Sequence, residues 1–160
     1  MPEHASDPTW TECSADFAPD GSLRDIYVEN TTLSDWDRLL QWVRSSPLAF
    51  SFLHEGRPMP LPAAAGDVFA LSGTAASILT IHLGALSLNC HFFSDDEIEL
   101  DLDPRELTDE RAFSALLGFV RGLGDALARD AIVTHENFKW AVLLRYTAAT
   151  RRIDRVEEAA

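Results

Sequence analysis

The amino-acid sequence predicts an α+β domain, in which a mostly antiparallel β-sheet of about six or seven strands carries two helices on one face. Three observations lead to this prediction. Residues 77–103 alternate in a way that fits a three-strand meander. Segments 33–44 and 108–128 repeat their apolar residues with the period of a helix. Short runs rich in β-branched and aromatic residues supply the remaining strands.

The chain divides into a central domain and two polar ends. Its 160 residues are long enough for one domain with an ordinary core. Residues 1–21 are polar and contain three prolines, which predicts a flexible amino-terminal tail with occasional anchors such as Trp10 and Phe17. Residues 22–147 form the predicted globular domain, and the polar residues 148–160 are expected to form a second tail.

The domain is expected to open with a strand, a helix and a second strand. Residues 23–28 have the β-branched and aromatic composition of a strand. Thr32 fits as an N-cap with Asp35 as its capping-box partner, and the apolar residues that follow share one face of the helix 33–44. Residues 48–53 then read as the second strand.

The clearest pattern of the chain is the meander. A loop rich in proline and glycine (55–66) and a short apolar segment (68–71), either a strand or a helical turn, precede it. Two hairpins fit residues 77–103, one turning at Gly84-Ala85 and the other through residues 93–97. One register satisfies both hairpins, because a slip of one residue would bury carboxylates. The apolar pairs in that register are Leu83 with Leu86, Ile81 with Leu88, Leu79 with Cys90, Phe92 with Ile98, Cys90 with Leu100 and Leu88 with Leu102.

The last third of the domain is expected to contain the long helix and two closing strands. Thr108 fits as the N-cap of the helix 108–128, which has acidic residues in its first turn and arginines towards its end, as the helix dipole favours. Residues 132–134 and 141–146 read as strands around a turn at 135–137.

The charge of the chain limits the partners that it can bind. The sequence has 26 acidic residues against 13 lysines and arginines, a net charge of −13 at pH 7. This charge opposes binding to nucleic acid and to anionic membranes, and it favours a basic protein. We find neither an apolar stretch of membrane-spanning length nor a signal peptide, so the expected location is the cytoplasm. Cys13 and Cys90 are not expected to form a disulfide there.

The strongest functional candidate is the acidic run from Asp95 to Glu110, which holds nine carboxylates and one arginine. Its strand, 97–103, buries leucines on one face and displays carboxylates on the other. That acidic face either binds a basic partner or is simply solvated. Trp42 lies outside the apolar face of the first helix. It is therefore either an anchor for a protein interface or covered by the amino-terminal tail or the proline loop. The predicted partner-binding residues are Asp95, Asp96, Glu97, Glu99, Asp101, Asp103, His91 and Trp42.

Two other kinds of function stay open. Histidines and carboxylates on the same predicted sheet face would suit a metal-dependent or acid–base enzyme. These residues are His82, His91, Glu99 and Asp101. Their spacing matches no metal motif, and the sequence contains neither a nucleophile elbow nor a phosphate-binding loop, so no catalytic residue, metal or cofactor is assigned. The other alternative is a structural or adaptor domain that self-associates.

A protein-interaction domain is the leading prediction. Small size, acidic charge, a single domain and the lack of a catalytic motif are the profile of a bacterial immunity protein that neutralises a co-encoded toxin. Lys139 is the only lysine, so arginine supplies almost all the basic charge. Together with the alanine content, this composition favours a bacterial source with a GC-rich genome.

Overall fold

The computed structural model describes residues 6–71 and 76–157 and confirms the α+β class. These residues form nine strands and four α-helices, where six or seven strands and two helices were expected. The helices are α1 (Trp10–Cys13), α2 (Leu33–Ser45), α3 (Ala65–Leu71) and α4 (Glu110–Leu127). The strands are β1 (Arg24–Glu29), β2 (Ala49–His54), β3 (Arg57–Pro58), β4 (Ser77–Leu83), β5 (Leu86–Ser94), β6 (Glu97–Leu102), β7 (Ala131–His135), β8 (Phe138–Thr147) and β9 (Arg152–Arg155).

The nine strands form one antiparallel sheet in the order β3-β2-β4-β5-β6-β1-β7-β8-β9. The first strand of the chain thus lies between β6 and β7. We call the side under α2 and α4 the helix face and the other side the open face. Because side chains alternate along a strand, Ile26 and Val28 enter the core on the helix face. Asp25 and Tyr27 therefore lie on the open face.

The predicted register of the meander is confirmed at its first hairpin, where Ile81 pairs with Leu88 and Leu79 with Cys90. In the second hairpin Cys90 pairs with Leu100 as expected, but the predicted pairing of Phe92 with Ile98 is wrong. A bulge between His91 and Ser94 puts one extra residue into β5, so the turn shortens to the two residues 95–96.

The two long helices begin as capping rules predict. Thr32 caps α2, and its side chain and that of Asp35 exchange hydrogen bonds with each other's backbone N–H. Asp109, and not Thr108, caps α4 through a 2.9 Å hydrogen bond from the N–H of Ala112. The segment 68–71, left open between strand and helical turn, belongs to α3.

Both ends of the described chain pack into the domain. Cys13 and Phe17 are fully buried, and the ring of Trp10 lies 5.8 Å from that of Phe113 on α4. At the other end β9 pairs with β8 and buries Ile153. The parts of the predicted tails at 1–5 and 158–160 lie outside the described residues. In the rest of the chain, no helix has both the length and the apolar character of a membrane span.

Candidate interaction face

The open face carries a polar network across three neighbouring strands. Thr80 donates from Oγ1 to Oδ1 of Asn89 at 2.9 Å, and Nδ2 of Asn89 donates to Oδ1 of Asp101 at 3.2 Å. This row follows from the register of the meander, which places the three residues side by side. The row ties β4, β5 and β6 together on the side away from the helices.

His91 extends the network by a hydrogen bond to Asp101. It lies opposite Glu99 in the register, yet its Nε2 is 2.6 Å from Oδ2 of Asp101, diagonally across the two strands. The hydrogen bond with Asp101 raises the pKa of His91, which favours the charged imidazolium. The ring of Phe93 stacks on the imidazole at 4.9 Å between centroids.

The centre of the open face is an acid–tyrosine cluster that sequence reasoning missed. Tyr27 donates its hydroxyl proton to Oδ2 of Asp25 at 2.8 Å, and the backbone N–H of Asn137 donates to the same oxygen at 2.8 Å. Both side chains are buried. Burial raises the pKa of Asp25, and the carboxylate of Asp101 adds to that effect. Burial likewise raises the pKa of Glu99.

The β7–β8 hairpin covers this cluster. The register between the two strands shifts twice near the hairpin turn, so that residues 139–141 lie between the pairs Thr134–Val142 and His135–Phe138. From this bulge the side chain of Lys139 crosses the open face, with its Nζ 5.1 Å from the centroid of the Tyr27 ring. The ammonium forms an ion pair with Glu97 on β6. The middle of the open face is therefore partly covered, not uniformly solvated.

Most carboxylates of the acidic run are occupied within the fold. Glu97 pairs with Lys139, and Asp101 accepts hydrogen bonds from His91 and Asn89. Asp103 binds the Arg105 guanidinium at 2.7 Å and caps the 3₁₀ turn Pro104–Glu106. Of the predicted contact residues, only the two in the β5–β6 turn combine strong exposure with freedom from an ion pair among the described residues. These are Asp95 and Asp96.

Trp42 does not lie on an exposed flank of its helix. Its ring is 5.3 Å from that of Phe119 on α4, and a Cβ added to Gly122 would come within 2.5 Å of its Cζ2. The glycine therefore makes room for the indole where the two helices meet. Trp42 is thus partly buried against α4. We assign it to the helix–helix contact.

Exposed aromatic side chains are the second feature that sequence reasoning missed. Trp140 is 79% exposed, Phe93 73% and Phe138 49%, and these are the three most exposed large apolar side chains in the described residues. We use the name aromatic patch for these three side chains, of which Phe138 and Trp140 contact each other on β8 and Phe93 lies on β5. The rings of Phe138 and Trp140 lie 5.0 Å apart, and the residue between them, Lys139, reaches towards the β5–β6 turn that follows Phe93. The signal was the aromatic–lysine–aromatic sequence FKW at 138–140, which fell between the predicted turn 135–137 and the predicted strand 141–146.

Of the four residues in the alternative enzyme site, the structure places His91 beside Glu99 and Asp101 and leaves His82 apart. His82 contacts Ser51 at 3.3 Å and Ser87 at 3.5 Å, away from the His91–Asp101 pair. Among the residues with described structure, no serine, threonine or cysteine is hydrogen-bonded to His91, and no group of three or more potential ligands is placed to hold a metal ion. Burial also raises the pKa of Cys90, which makes it a poor nucleophile.

No protein-family model matches the chain, and neither a curated protein nor a solved structure shows significant similarity to it.

Proposed function

We propose that this protein binds a basic protein partner through the aromatic patch and the acidic surface around it. An immunity protein that neutralises a co-encoded toxin is the most specific form of this proposal. The observation that carries it is the exposure of Trp140 and Phe93 on a chain with a net charge of −13. Folding leaves these rings in water, and their burial by a partner is favourable.

A few residues supply most of the binding energy in known interfaces, and tryptophan is enriched among them. In alanine scans, replacement of such a residue weakens binding by about 2 kcal/mol or more. Trp140 is therefore the expected anchor of the interface. Phe138 lies beside Trp140 and enlarges the exposed apolar surface there. Phe93 is held in place by its stack on His91, so little ordering entropy is lost when it is covered.

The carboxylates have a different role from the one expected from sequence. Glu97 and Asp101 are bound to Lys139 and His91, so direct contacts to a partner would compete with bonds inside the fold. The exposed acids Asp95 and Asp96, beside Phe93, form no ion pair among the described residues, although Asp96 accepts a hydrogen bond from Oγ of Ser94. Together with the net charge they attract a basic protein over long range and speed its association.

The same charge argues against a second copy of this chain as the occupant. Two chains with a net charge of −13 each repel one another, whereas a basic protein is attracted. Sedimentation at low and physiological salt separates the two cases. A monomer at both salt concentrations agrees with the proposal. A dimer that the Trp140→Ala variant abolishes would identify the patch as a self-association site.

The experiment that tests the proposal is comparative capture from a lysate of the source cell. The immobilised baits are the wild-type protein, Trp140→Ala, Phe93→Ala and a matched control, Phe50→Ala, on the helix face. Phe50 is 37% exposed and pairs with the core residue Ile81, away from the patch. We expect the wild-type and Phe50→Ala baits to capture a basic protein that salt elutes. The Trp140→Ala and Phe93→Ala baits should fail to capture it. Equal retention by all four baits contradicts the proposal.

A further inference from the structure

A cleft of about 780 Å³ opens beside the aromatic patch, between the β7–β8 turn and the segment that leads into β1. Phe138 and Trp140 line one part of it, and Asp20, Ser22 and Glu136 line another. The two rings are 5.0 Å apart and inclined at 54°. Aromatic faces and carboxylates thus meet in one concave site.

The two carboxylates of the cleft are not equivalent. Asp20 accepts hydrogen bonds from Ser22, and its charge is offset by the guanidinium of Arg24, at 3.3 Å. Glu136 accepts a 2.8 Å hydrogen bond from the backbone N–H of Leu23 on its Oε1, which fixes the carboxylate in the cleft. Within the described part of the chain, Glu136 forms no ion pair. Its negative charge is therefore available to a ligand.

The chain's own lysine does not fill the site. Lys139 lies between Phe138 and Trp140 in sequence, but its ammonium is directed over Tyr27 to Glu97 on the open face. The cleft combines an uncompensated carboxylate with two aromatic rings and leaves space for a side chain. A cation over an aromatic face is attracted by the ring electrons, and tryptophan binds cations best. A planar guanidinium adds stacking on the ring and hydrogen bonds to the carboxylate.

From this geometry we propose that the cleft receives an arginine side chain of the basic partner. The guanidinium stacks on Trp140 and donates to Oε2 of Glu136, while its hydrocarbon stem lies along Phe138. This inference rests on the proposed function, since it names the group by which the partner would be anchored. It is more specific, because a basic protein can bind the aromatic patch without placing an arginine here.

A small probe tests the inference without the partner. Nα-acetyl-arginine amide is titrated into ¹⁵N-labelled protein, and the indole N–H signal of Trp140 is followed. Its neutral isostere, Nα-acetyl-citrulline amide, is the matched ligand control. We expect a saturable shift at Trp140 with the arginine compound and none with the citrulline compound. Equal shifts with both compounds, or shifts at other tryptophans only, would overturn the inference.

Two variants of similar chemistry complete the test. Glu136→Gln keeps an oxygen that accepts from Leu23 while it removes the charge, and we expect arginine amide to bind about fivefold more weakly. Glu55→Gln, an exposed acid in the β2–β3 turn, should leave binding unchanged. Equal affinity of wild type and Glu136→Gln contradicts the inference. If Trp140→Ala abolishes partner capture while Glu136→Gln does not weaken it, the proposed function stands and the arginine inference fails.

Discussion

Replacement of Asp101 tests whether the acidic strand is primarily a structural element. Its Oδ2 accepts from the His91 ring at 2.6 Å, its Oδ1 accepts from Asn89 at 3.2 Å, and the side chain is only 16% exposed. Asp101→Ala removes both acceptors and leaves two donors unpaired beside a covered part of the sheet. Asp96→Ala, in the exposed β5–β6 turn, is the matched control.

The expected magnitude follows from these bonds. Both hydrogen bonds are made to the same charged carboxylate, and each contributes about 1.5 kcal/mol, the lower end of the range for bonds to charged groups. Loss of the Asp101 charge also relieves its repulsion of the buried Asp25, which offsets part of that sum. We therefore expect Asp101→Ala to lower the free energy of unfolding by about 2 kcal/mol. The control Asp96→Ala should change it by about 0.5 kcal/mol or less.

Urea denaturation at several pH values and NMR titration of the His91 ring are the two assays. Because its pKa is raised in the folded state from an ordinary value of 6.5, His91 contributes stability that is full below pH 6.5 and is lost as pH rises through the folded pKa. The difference between wild type and Asp101→Ala should thus be larger at pH 6 than well above that pKa. The variant should also lower the pKa of His91. Equal stabilities of Asp101→Ala and Asp96→Ala, or an unchanged His91 pKa, would refute this reasoning.

Two further predictions concern packing and pH. A Cβ at Gly124 would come within 2.2 Å of the buried Tyr146 ring, so Gly124→Ala should lower the free energy of unfolding by about 2 kcal/mol. Gly118→Ala meets no atom within 4 Å and should raise it by about 1 kcal/mol, and equal melting temperatures of the two variants would contradict this packing. The pKa of Asp25 is raised from 3.8, so its contribution falls as pH rises through the folded pKa. Asp25→Asn should make the loss of stability between pH 4 and pH 7 smaller, and an unchanged slope in urea denaturation would count against the burial argument.

Local patterns were sufficient to predict the elements of the fold but not their full arrangement. Alternation from Glu97 to Leu102 determined the register of the meander, since a wrong register would bury charge. The bulge at Phe92 and Phe93 was missed because an extra residue leaves the local composition of a strand unchanged. The place of β1 between β6 and β7 depends on pairings far apart in sequence, for which no short-range signal exists.

The candidate site shows the same division. The row of Thr80, Asn89 and Asp101 was predictable because it follows from one hairpin register. The partial cover of the open face by Lys139 could not be predicted, because Lys139 reaches Glu97 from a bulge three strands away in the sheet. Because of the Lys139–Glu97 ion pair and the other bonds of its carboxylates, the acidic run is a largely paired surface and not a free one. Trp140 lies in the irregular part of the β7–β8 hairpin, so the alternation of a regular strand could not predict its exposure.

The central claim is that the aromatic patch binds a basic partner, and the most direct test is the affinity of the captured protein for purified variants. Isothermal titration should give a dissociation constant at least about 100-fold weaker for the double variant Phe93→Ala/Trp140→Ala, since two anchors of about 2 kcal/mol each are lost. Phe50→Ala should bind like the wild type, and higher salt should weaken both. An affinity of the double variant equal to that of the wild type would contradict the account.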